Sequence, residues 1–352
     1  MPTAPDALLN ELTATIRRFL SLPSGAPEAM ALWVLFTHSF PANDISPRLA
    51  LLSPMHGCGK TTALTILSHL CPNSLLLSNV TPAAVYRFIE KQRVKGCPTL
   101  LFDEGGTYLQ SNEAFLGILN SGHTRAAANV LRAVPKGRDY DVQKFSTWAP
   151  IAMAKIGVLP PEWASRSITI VLQRKRHDEQ GERFRQHDAQ HLEQLRKRIA
   201  EWAKGAIPLL KDADPSLPIT ITNRTRDNWR PLIAIADMAG EVWSAKAREI
   251  AIAFSRQEDV APGEAVLGAI QRAFDECGKD RLTSEDLCSL LRTDLDDRFA
   301  AMDPHALAQQ LKPFGIRPRG IRFGTQVLRG YEREWFEDAF DRYAPRSGGM
   351  GG

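Results

Sequence analysis

Cysteine is scarce in this sequence, and no two cysteines are spaced as a C-x-x-C pair. The 352 residues include five scattered cysteines. A structural zinc site or a disulfide framework is therefore not expected, and a reducing, cytoplasmic location is predicted. Long apolar runs are also missing. The longest, Ala29–Phe36, is far shorter than the ~18 residues of a membrane helix, so no membrane partner is expected.

Charge of one sign is not in large excess either. Lysine and arginine total 44 against 40 acidic residues, a formal net charge of +4, which permits nucleic-acid binding without requiring it. Apolar residues make up 43% of the chain and charged residues 24%. These values are ordinary for globular proteins and exclude wholesale disorder.

The pattern along the chain predicts an α/β fold. Between residues 46 and 175, short apolar runs alternate with helical stretches, which is typical of a mostly parallel sheet flanked by helices. The predicted strands are Leu49–Leu52, Leu75–Leu77, Thr99–Phe102, Ile151–Ala154 and Ile168–Leu172. The predicted segments are an N-terminal helical segment (1–45), an α/β core (46–175), a helical lid (176–258), a winged helix-turn-helix (259–345) whose last helix lies around Glu332–Tyr343, and a disordered tail (346–352).

One segment between a predicted strand and a predicted helix has the composition of a phosphate-binding loop. It reads SPMHGCGKTT over residues 53–62. Glycines let backbone N–H groups turn towards a phosphate, Lys60 would reach the β- and γ-phosphates, and the Thr61 hydroxyl would ligate Mg²⁺. The candidate nucleotide-binding residues are Gly57, Cys58, Gly59, Lys60, Thr61 and Thr62. Pro54 stands where this pattern usually has its first glycine, and the alternative is an ordinary glycine-rich turn.

Two adjacent carboxylates, Asp103 and Glu104, end the predicted strand that follows the loop by about 40 residues. In nucleotide hydrolases of this type the first carboxylate holds the Mg²⁺ shell and the second polarises the attacking water. An apolar strand that ends in Asp-Glu is common by itself, and the alternative is a strand end facing water. Together with the loop, the pair predicts ATP and Mg²⁺ as cofactors.

The next two predicted strands are arranged as in ATPases of the AAA+ type, and that resemblance implies roles for further residues. Arg166, just before the last strand, would be an arginine finger that projects into a neighbouring subunit, or else a surface arginine. Lys155 would be a sensor, although asparagine is usual there. An arginine that reaches the γ-phosphate as a second sensor is also expected. Arg224 is the first candidate and Arg230 the second, and Arg226 lies between them.

Several longer motifs resemble the family described as domain of unknown function 3631. They include SPRLALLSP (46–54), NVTPAAVYRFIE (79–90), TLLFDE (99–104), ILNSGHTR (118–125), DNWRPLIAIADMAG (227–240) and LKPFGIRPRGIRF (311–323). The resemblance covers about residues 30–345. Such proteins occur in phages, plasmids and other mobile elements, often beside primase-like modules. Related mobile-element ATPases include hexameric helicases similar to MCM helicases, which implies a ring-forming AAA+ motor here.

Two basic regions are candidates for DNA contacts. Residues 126–147 read as two β-rich runs around a Pro/Gly turn, a hairpin whose tip carries Lys136 and Arg138. Residues 312–333 hold six basic residues and one acidic residue, including Arg317, Arg319 and Arg322, which fits a wing that contacts phosphates. The alternatives are a solvated turn for the first region and a protein-contact or solubility surface for the second.

The sequence therefore predicts an oligomeric, hexameric AAA+ ATPase, with its ATPase core in residues 46–175, that translocates on or remodels single-stranded or forked DNA. A primase or initiator is the expected protein partner. Two other functions stay open. One is a DNA-binding initiator or loader that uses ATP as a switch without unwinding. The other is an ATPase that remodels a protein partner.

Overall fold

The computed structural model describes residues 3–103, 113–174, 182–221, 223–258, 262–293 and 299–343. The chain divides into two compact units, Met1–Ser255 and Arg256–Gly352. None of the helices in these ranges is long and apolar enough to span a membrane.

A parallel five-stranded sheet forms the centre of the first unit. Its strands are β1 (Arg48–Ser53), β2 (Leu75–Leu77), β3 (Leu100–Phe102), β6 (Ile151–Ile156) and β7 (Ser167–Val171). Their order across the sheet is β2-β3-β6-β1-β7, and every neighbouring pair is parallel. The predicted mixed α/β fold with a parallel central sheet is confirmed.

Helices cover this sheet. In chain order they are α1 (Pro5–Phe19), α2 (Ala26–His38), α3 (Lys60–Leu70), α4 (Pro82–Gln92), α5 (Glu113–Ser121), α6 (Pro161–Ala164), α7 (Gln186–Lys211), α8 (Asn223–Met238) and α9 (Glu241–Glu258). Helix α1 begins with a proline, which suits the first turn because its missing N–H would have no partner there. Its apolar residues at helical spacing, Leu8, Leu12 and Ile16, are fully buried.

The core lies on both faces of the sheet because side chains alternate along each strand. On β1, Leu49 and Leu51 belong to a cluster with α1, α2 and α7, whereas Ala50 and Leu52 belong to a cluster with α4 and α5. All six residues of β1 are buried. Each fully buried leucine contributes roughly 1.5–3 kcal/mol relative to an exposed one. This burial fixes the strand whose end carries the candidate loop.

A two-stranded hairpin is inserted between β3 and β6. Its strands are β4 (Asn129–Lys136) and β5 (Asp139–Ser146), paired without a bulge from Asn129↔Ser146 to Lys136↔Asp139. Gly137 in the two-residue turn has φ +68°, a conformation that favours glycine. Near its base the hairpin packs on α4, where the Tyr86 and Phe145 ring centres are 4.9 Å apart. The hairpin predicted over residues 126–147 is present.

The second unit combines helices with a three-stranded antiparallel sheet. Its elements are α10 (Pro262–Cys277), β8 (Arg281–Thr283), α11 (Ser284–Thr293), α12 (Pro304–Leu311), β9 (Arg319–Phe323), β10 (Gln326–Glu332) and α13 (Glu337–Tyr343). The strand order is β8-β10-β9. The last helix is shorter than the predicted 332–343, because residues up to 332 pair in β10 and Arg333–Phe336 form a 3-10 turn.

Candidate functional site

The loop between β1 and α3 has the backbone geometry of an anion-binding turn. Gly57 and Gly59 have φ values of +80° and +83°, in the left-handed region that glycine adopts without strain. Gly59 is also the N-cap of α3, and no side chain caps that helix. The first turn of α3 therefore retains backbone N–H groups and the positive end of the helix dipole.

Lys60 is folded back beneath this loop. Its Nζ donates to the Ser53 Oγ at 2.5 Å and to the Met55 carbonyl at 3.3 Å, and the residue is only 9% exposed. Two oxygens of the preceding strand and loop therefore position the ammonium. Cys58 is buried, whereas Thr61 is exposed and Thr62 is half-buried.

Thr61 and Asp103 come together although 42 residues separate them in the chain. The Thr61 Oγ1 donates to the Asp103 Oδ2 at 3.4 Å. Asp103 follows β3, and its backbone N–H donates to the Leu77 carbonyl at 2.9 Å. Since β1 and β3 are parallel members of one sheet, both residues lie at its carboxyl edge. Glu104 lies outside the described residues.

These oxygens suit Mg²⁺ better than other metals. No group of three or more His, Cys, Asp or Glu side chains capable of holding a metal occurs within the described ranges. In nucleotide sites Mg²⁺ takes only one or two protein ligands and completes its shell with phosphates and water. A hydroxyl and a carboxylate 3.4 Å apart beside a glycine loop fit that requirement.

Lys155 is at the same edge, on β6 between β1 and β3, where it pairs in register with Leu52. Its side chain is buried, and its Nζ donates to the Val158 carbonyl at 2.5 Å. The ammonium is therefore bound to the end of its own strand.

Arg166 and Arg224 lie together at the opposite edge of the sheet. Arg166 precedes β7, its carbonyl accepts from the Arg48 N–H at the start of β1, and its Nη1 donates to the Glu162 carbonyl. Arg224 Nη1 donates to the Ser165 Oγ at 3.0 Å. Burial, and then the charge of Arg224, lowers the pKa of Arg166.

The six residues of β1 separate these arginines from the loop, a distance of about 20 Å at ~3.3 Å per residue. The structure therefore does not bring Arg166 or Arg224 to Lys60 of the same chain. Of the other sensor candidates, Arg230 is paired with Asp214, and Arg226 is exposed.

A buried polar cluster beside Arg166 was not predicted from the sequence. Arg48 is 1% exposed and donates to the carbonyls of Leu119 and Ala149, each at 2.8 Å. Burial lowers its pKa to about 9. His123 Nε2 is 2.8 Å from the Asn228 Oδ1, and burial lowers the pKa of His123 to about 4. This histidine is therefore neutral at pH 7 and donates to the amide oxygen.

Arg174 is a second residue that sequence reasoning missed. It follows β7 and helps to line a cavity of about 480 Å³ beside the β1–α3 loop. The lining consists of Phe19, Leu20, Ser21, Gly57, Cys58, Gly59, Thr62, Gln173, Arg174, Glu182, Arg183 and Phe184. The available signal was an arginine just beyond the carboxyl end of a buried strand.

The candidate DNA-contacting residues are all exposed and lie on or next to β-strands. Lys136 and Arg138 are at the hairpin tip, and Lys136 Nζ is 3.1 Å from the Asp141 carboxylate. In the second unit Arg319 and Arg322 are on β9, and Arg317 precedes it. The Arg319 guanidinium lies 4.8 Å from the centre of the Trp335 ring.

The comparisons with known proteins agree with the resemblance in the motifs. Residues 171–343 match the model of the family described as "Protein of unknown function (DUF3631)". The DUF3631 resemblance is confirmed. A relative from Saccharopolyspora erythraea, "Uncharacterized 28.9 kDa protein in xis 5'region", is 32% identical over 169 residues, which are 45% of this chain. The match covers 62% of that relative's length.

Two solved structures also resemble the chain weakly. They are described as "The A form apo structure of NrS-1 C terminal region-CTR" and the same region with residues 305–718 given. Each is 9% identical and is matched over 94% of this chain and 76% of its own, with TM-scores of 0.41 and 0.42. A likeness this weak assigns no function.

Proposed function

We propose that this protein is a Mg²⁺-dependent ATPase of the AAA+ type that assembles into a ring, most simply a hexamer, and acts on DNA. The observation that carries the proposal is the approach of Thr61 to Asp103, 3.4 Å apart, beside the positive-φ glycines and the buried Lys60. A hydroxyl, a carboxylate, an ammonium and a glycine-rich turn meet at one edge of a parallel sheet, where nucleotides bind in such folds.

Each group has a distinct role in this proposal. The backbone of residues 57–62 cradles the β-phosphate, and Lys60 neutralises the β- and γ-phosphates. Thr61 and Asp103 hold Mg²⁺, which when bound offsets the charge that develops during phosphoryl transfer. Glu104 orients the attacking water. Positioning and electrostatics then supply most of the catalysis, because the reaction needs little covalent help from the protein.

Arg166 and Arg224 act together on the nucleotide of a neighbouring subunit. Their position at the amino edge of the sheet, about 20 Å from the loop of their own chain, supports an action in trans. Their shared positive charge is suited to an anion, since an arginine finger stabilises the negative charge of the transition state. Assembly is then a condition for turnover.

DNA is contacted by two basic regions. The hairpin tip supplies Lys136 and Arg138, and the second unit, which we interpret as a winged helix, supplies Arg317, Arg319 and Arg322 on and before β9. Their exposure supports phosphate contacts. The name of the relative from Saccharopolyspora erythraea refers to the 5' region of xis, which supports a role in a mobile element. In this proposal the role is in DNA replication, with a primase or initiator as partner.

ATP turnover by Lys60→Ala tests the nucleotide site. We expect loss of turnover, because Lys60 is the cation beneath the loop that would hold the β- and γ-phosphates. Lys91→Ala is the matched control, since Lys91 is an exposed lysine in the last turn of α4. Hydrolysis of radiolabelled ATP is measured for both. Normal turnover in Lys60→Ala would remove the ATPase proposal.

The basic strands of the second unit also fit an ATP-switched initiator or loader that binds DNA without unwinding it. Strand displacement from a forked duplex separates the two functions. A helicase releases the strand in an ATP-dependent reaction, whereas an initiator binds the fork and releases none. Salt-independent or absent DNA binding would instead favour an ATPase that remodels a protein.

A further inference from the structure

The segment after β7 returns to the β1–α3 loop. The Leu172 N–H donates to the Leu52 carbonyl at 2.7 Å, so the end of β7 is fixed beside the end of β1. Arg174 comes two residues later and lines the same cavity as Gly57, Gly59 and Thr62. It is thus at the carboxyl edge of the sheet, opposite to Arg166 and Arg224.

The Arg174 guanidinium lies against Gly57. A Cβ built on Gly57 would be 3.2 Å from the Arg174 Nη2, 3.7 Å from Nε and 3.9 Å from Cζ. Any side chain at residue 57 would therefore crowd the guanidinium, in addition to the strain of φ +80°. The glycine leaves the arginine in direct reach of the loop backbone.

No ion pair or hydrogen bond of Arg174 occurs within the described part of the chain, and its side chain is exposed. Glu182, the acidic residue in the cavity lining, instead pairs with Arg18 at 2.6 Å. A guanidinium and the Lys60 ammonium on one glycine loop form a site for a multiply charged anion. Arginine is well suited to it, because its planar fork donates two parallel hydrogen bonds to phosphate oxygens.

We propose that Arg174 binds the polyphosphate of the nucleotide held by its own subunit, as a positioning residue distinct from Arg166 and Arg224. This inference rests on the proposed ATPase function. Arginines of two subunits would then contact each nucleotide. Arg174 belongs to the subunit that holds the nucleotide, whereas Arg166 and Arg224 belong to its neighbour.

Binding of fluorescent ATP and ADP analogues to Arg174→Gln tests the inference. We expect affinity for both nucleotides to fall roughly tenfold to a hundredfold, the effect of losing a hydrogen bond to a charged group. Arg174→Lys should recover part of the affinity, because it restores the charge but not the fork. Arg93→Gln, which removes an exposed arginine at the C-terminal end of α4, is the control and should bind as the wild type does.

A failure of the Arg174 phosphate contact and a failure of the ATPase function give different results. If Arg174→Gln binds both nucleotides as tightly as the wild type while Lys60→Ala does not, Arg174 has no phosphate contact and the ATPase proposal survives. If the wild type itself binds neither nucleotide, both proposals are wrong. If Arg174→Lys binds as weakly as Arg174→Gln while thermal melting is unchanged in both, the two hydrogen bonds of the guanidinium, and not its charge alone, bind the phosphates, which supports the inference.

Discussion

At the scale of single residues, two buried histidines link the stability of the fold to pH. His38 Nε2 lies 2.8 Å from the Leu70 carbonyl, which connects α2 to the end of α3, and His123 Nε2 donates to Asn228. Burial lowers the pKa of each to about 4. Both are therefore neutral in the folded protein, whereas an unfolded chain protonates them near pH 6.5.

We predict that acid destabilises the protein between about pH 6.5 and 4. Within this window the unfolded state binds more protons than the folded state, so the free energy of unfolding falls as the pH is lowered. His38 alone would account for about 2 kcal/mol between pH 7 and 5. Urea unfolding of the first unit at both pH values measures the loss.

The variant His38→Gln tests whether this histidine causes the loss of stability in acid. That variant should lose less stability between pH 7 and 5 than the wild type, because the titrating group is gone. His305→Gln is the matched control, since His305 is exposed, and its pH dependence should equal that of the wild type. An identical pH dependence for His38→Gln and the wild type would contradict the assignment.

The candidate site could be predicted from the sequence only where its residues follow one another or end a strand. The approach of Thr61 to Asp103 follows from a glycine loop and an apolar strand ending in a carboxylate. Arg174 could not be predicted, because its contact with Gly57 depends on β7 lying next to β1. Arg48 was missed because a fully buried arginine depends on carbonyls that come from α5 and from the segment just before β6.

At the scale of elements, the antiparallel strands of the second unit present basic side chains on an exposed surface. If β9 contacts DNA phosphates, each lost contact should reduce the slope of log K against log [salt] by about 0.7–0.9. The triple variant Arg317→Ala, Arg319→Ala, Arg322→Ala should therefore flatten the slope by roughly two units. DNA binding by fluorescence anisotropy at several salt concentrations measures it.

A second triple variant controls for lost charge alone. Lys197→Ala, Lys204→Ala and Lys211→Ala remove three exposed cations from α7 and should leave the slope unchanged. ATP turnover without DNA should survive the arginine triple. An unchanged slope in the arginine triple, with folding intact, would assign the surface to a protein partner and leave the hairpin tip as the DNA contact.

Element types were easier to predict than element ends. The five strands of the central sheet begin and end within two residues of prediction, because each is a short apolar run, and the three inner strands are buried on both faces. The final helix was predicted five residues too early. Glu332 pairs with Arg281 of β8 instead, and that pairing is a tertiary effect which overrides local helical preference.

At the scale of the whole molecule, the proposed action of Arg166 on a neighbouring subunit would make ATP turnover depend on assembly. We predict that mixing Arg166→Ala subunits with Glu104→Gln subunits restores part of the ATPase activity that each lacks alone. At some mixed interfaces an intact Glu104 faces an intact Arg166, since the two act in different subunits. Turnover is measured across mixing ratios, with oligomer formation checked by light scattering.

Lack of recovery, although both variants still assemble, would mean that Arg166 serves its own subunit. The structure argues against that, because Arg166 and Lys60 lie at opposite ends of β1.

The strand order of the central sheet could not be predicted from the sequence. Strand β6 lies between β1 and β3 although 97 residues (54–150) separate it from β1 along the sequence, and short apolar runs do not specify their neighbours.

The hairpin has the mechanical properties of a lever. Its base is fixed to α4 by the Tyr86–Phe145 ring contact and by the Ser146 N–H, which donates to the Glu90 carboxylate at 2.8 Å. Its arm of eight paired residues extends about 26 Å to the tip. A tilt of about 5° at the base would then move Lys136 and Arg138 by about 2 Å, so a small rotation of α4 would become a larger displacement of the hairpin tip.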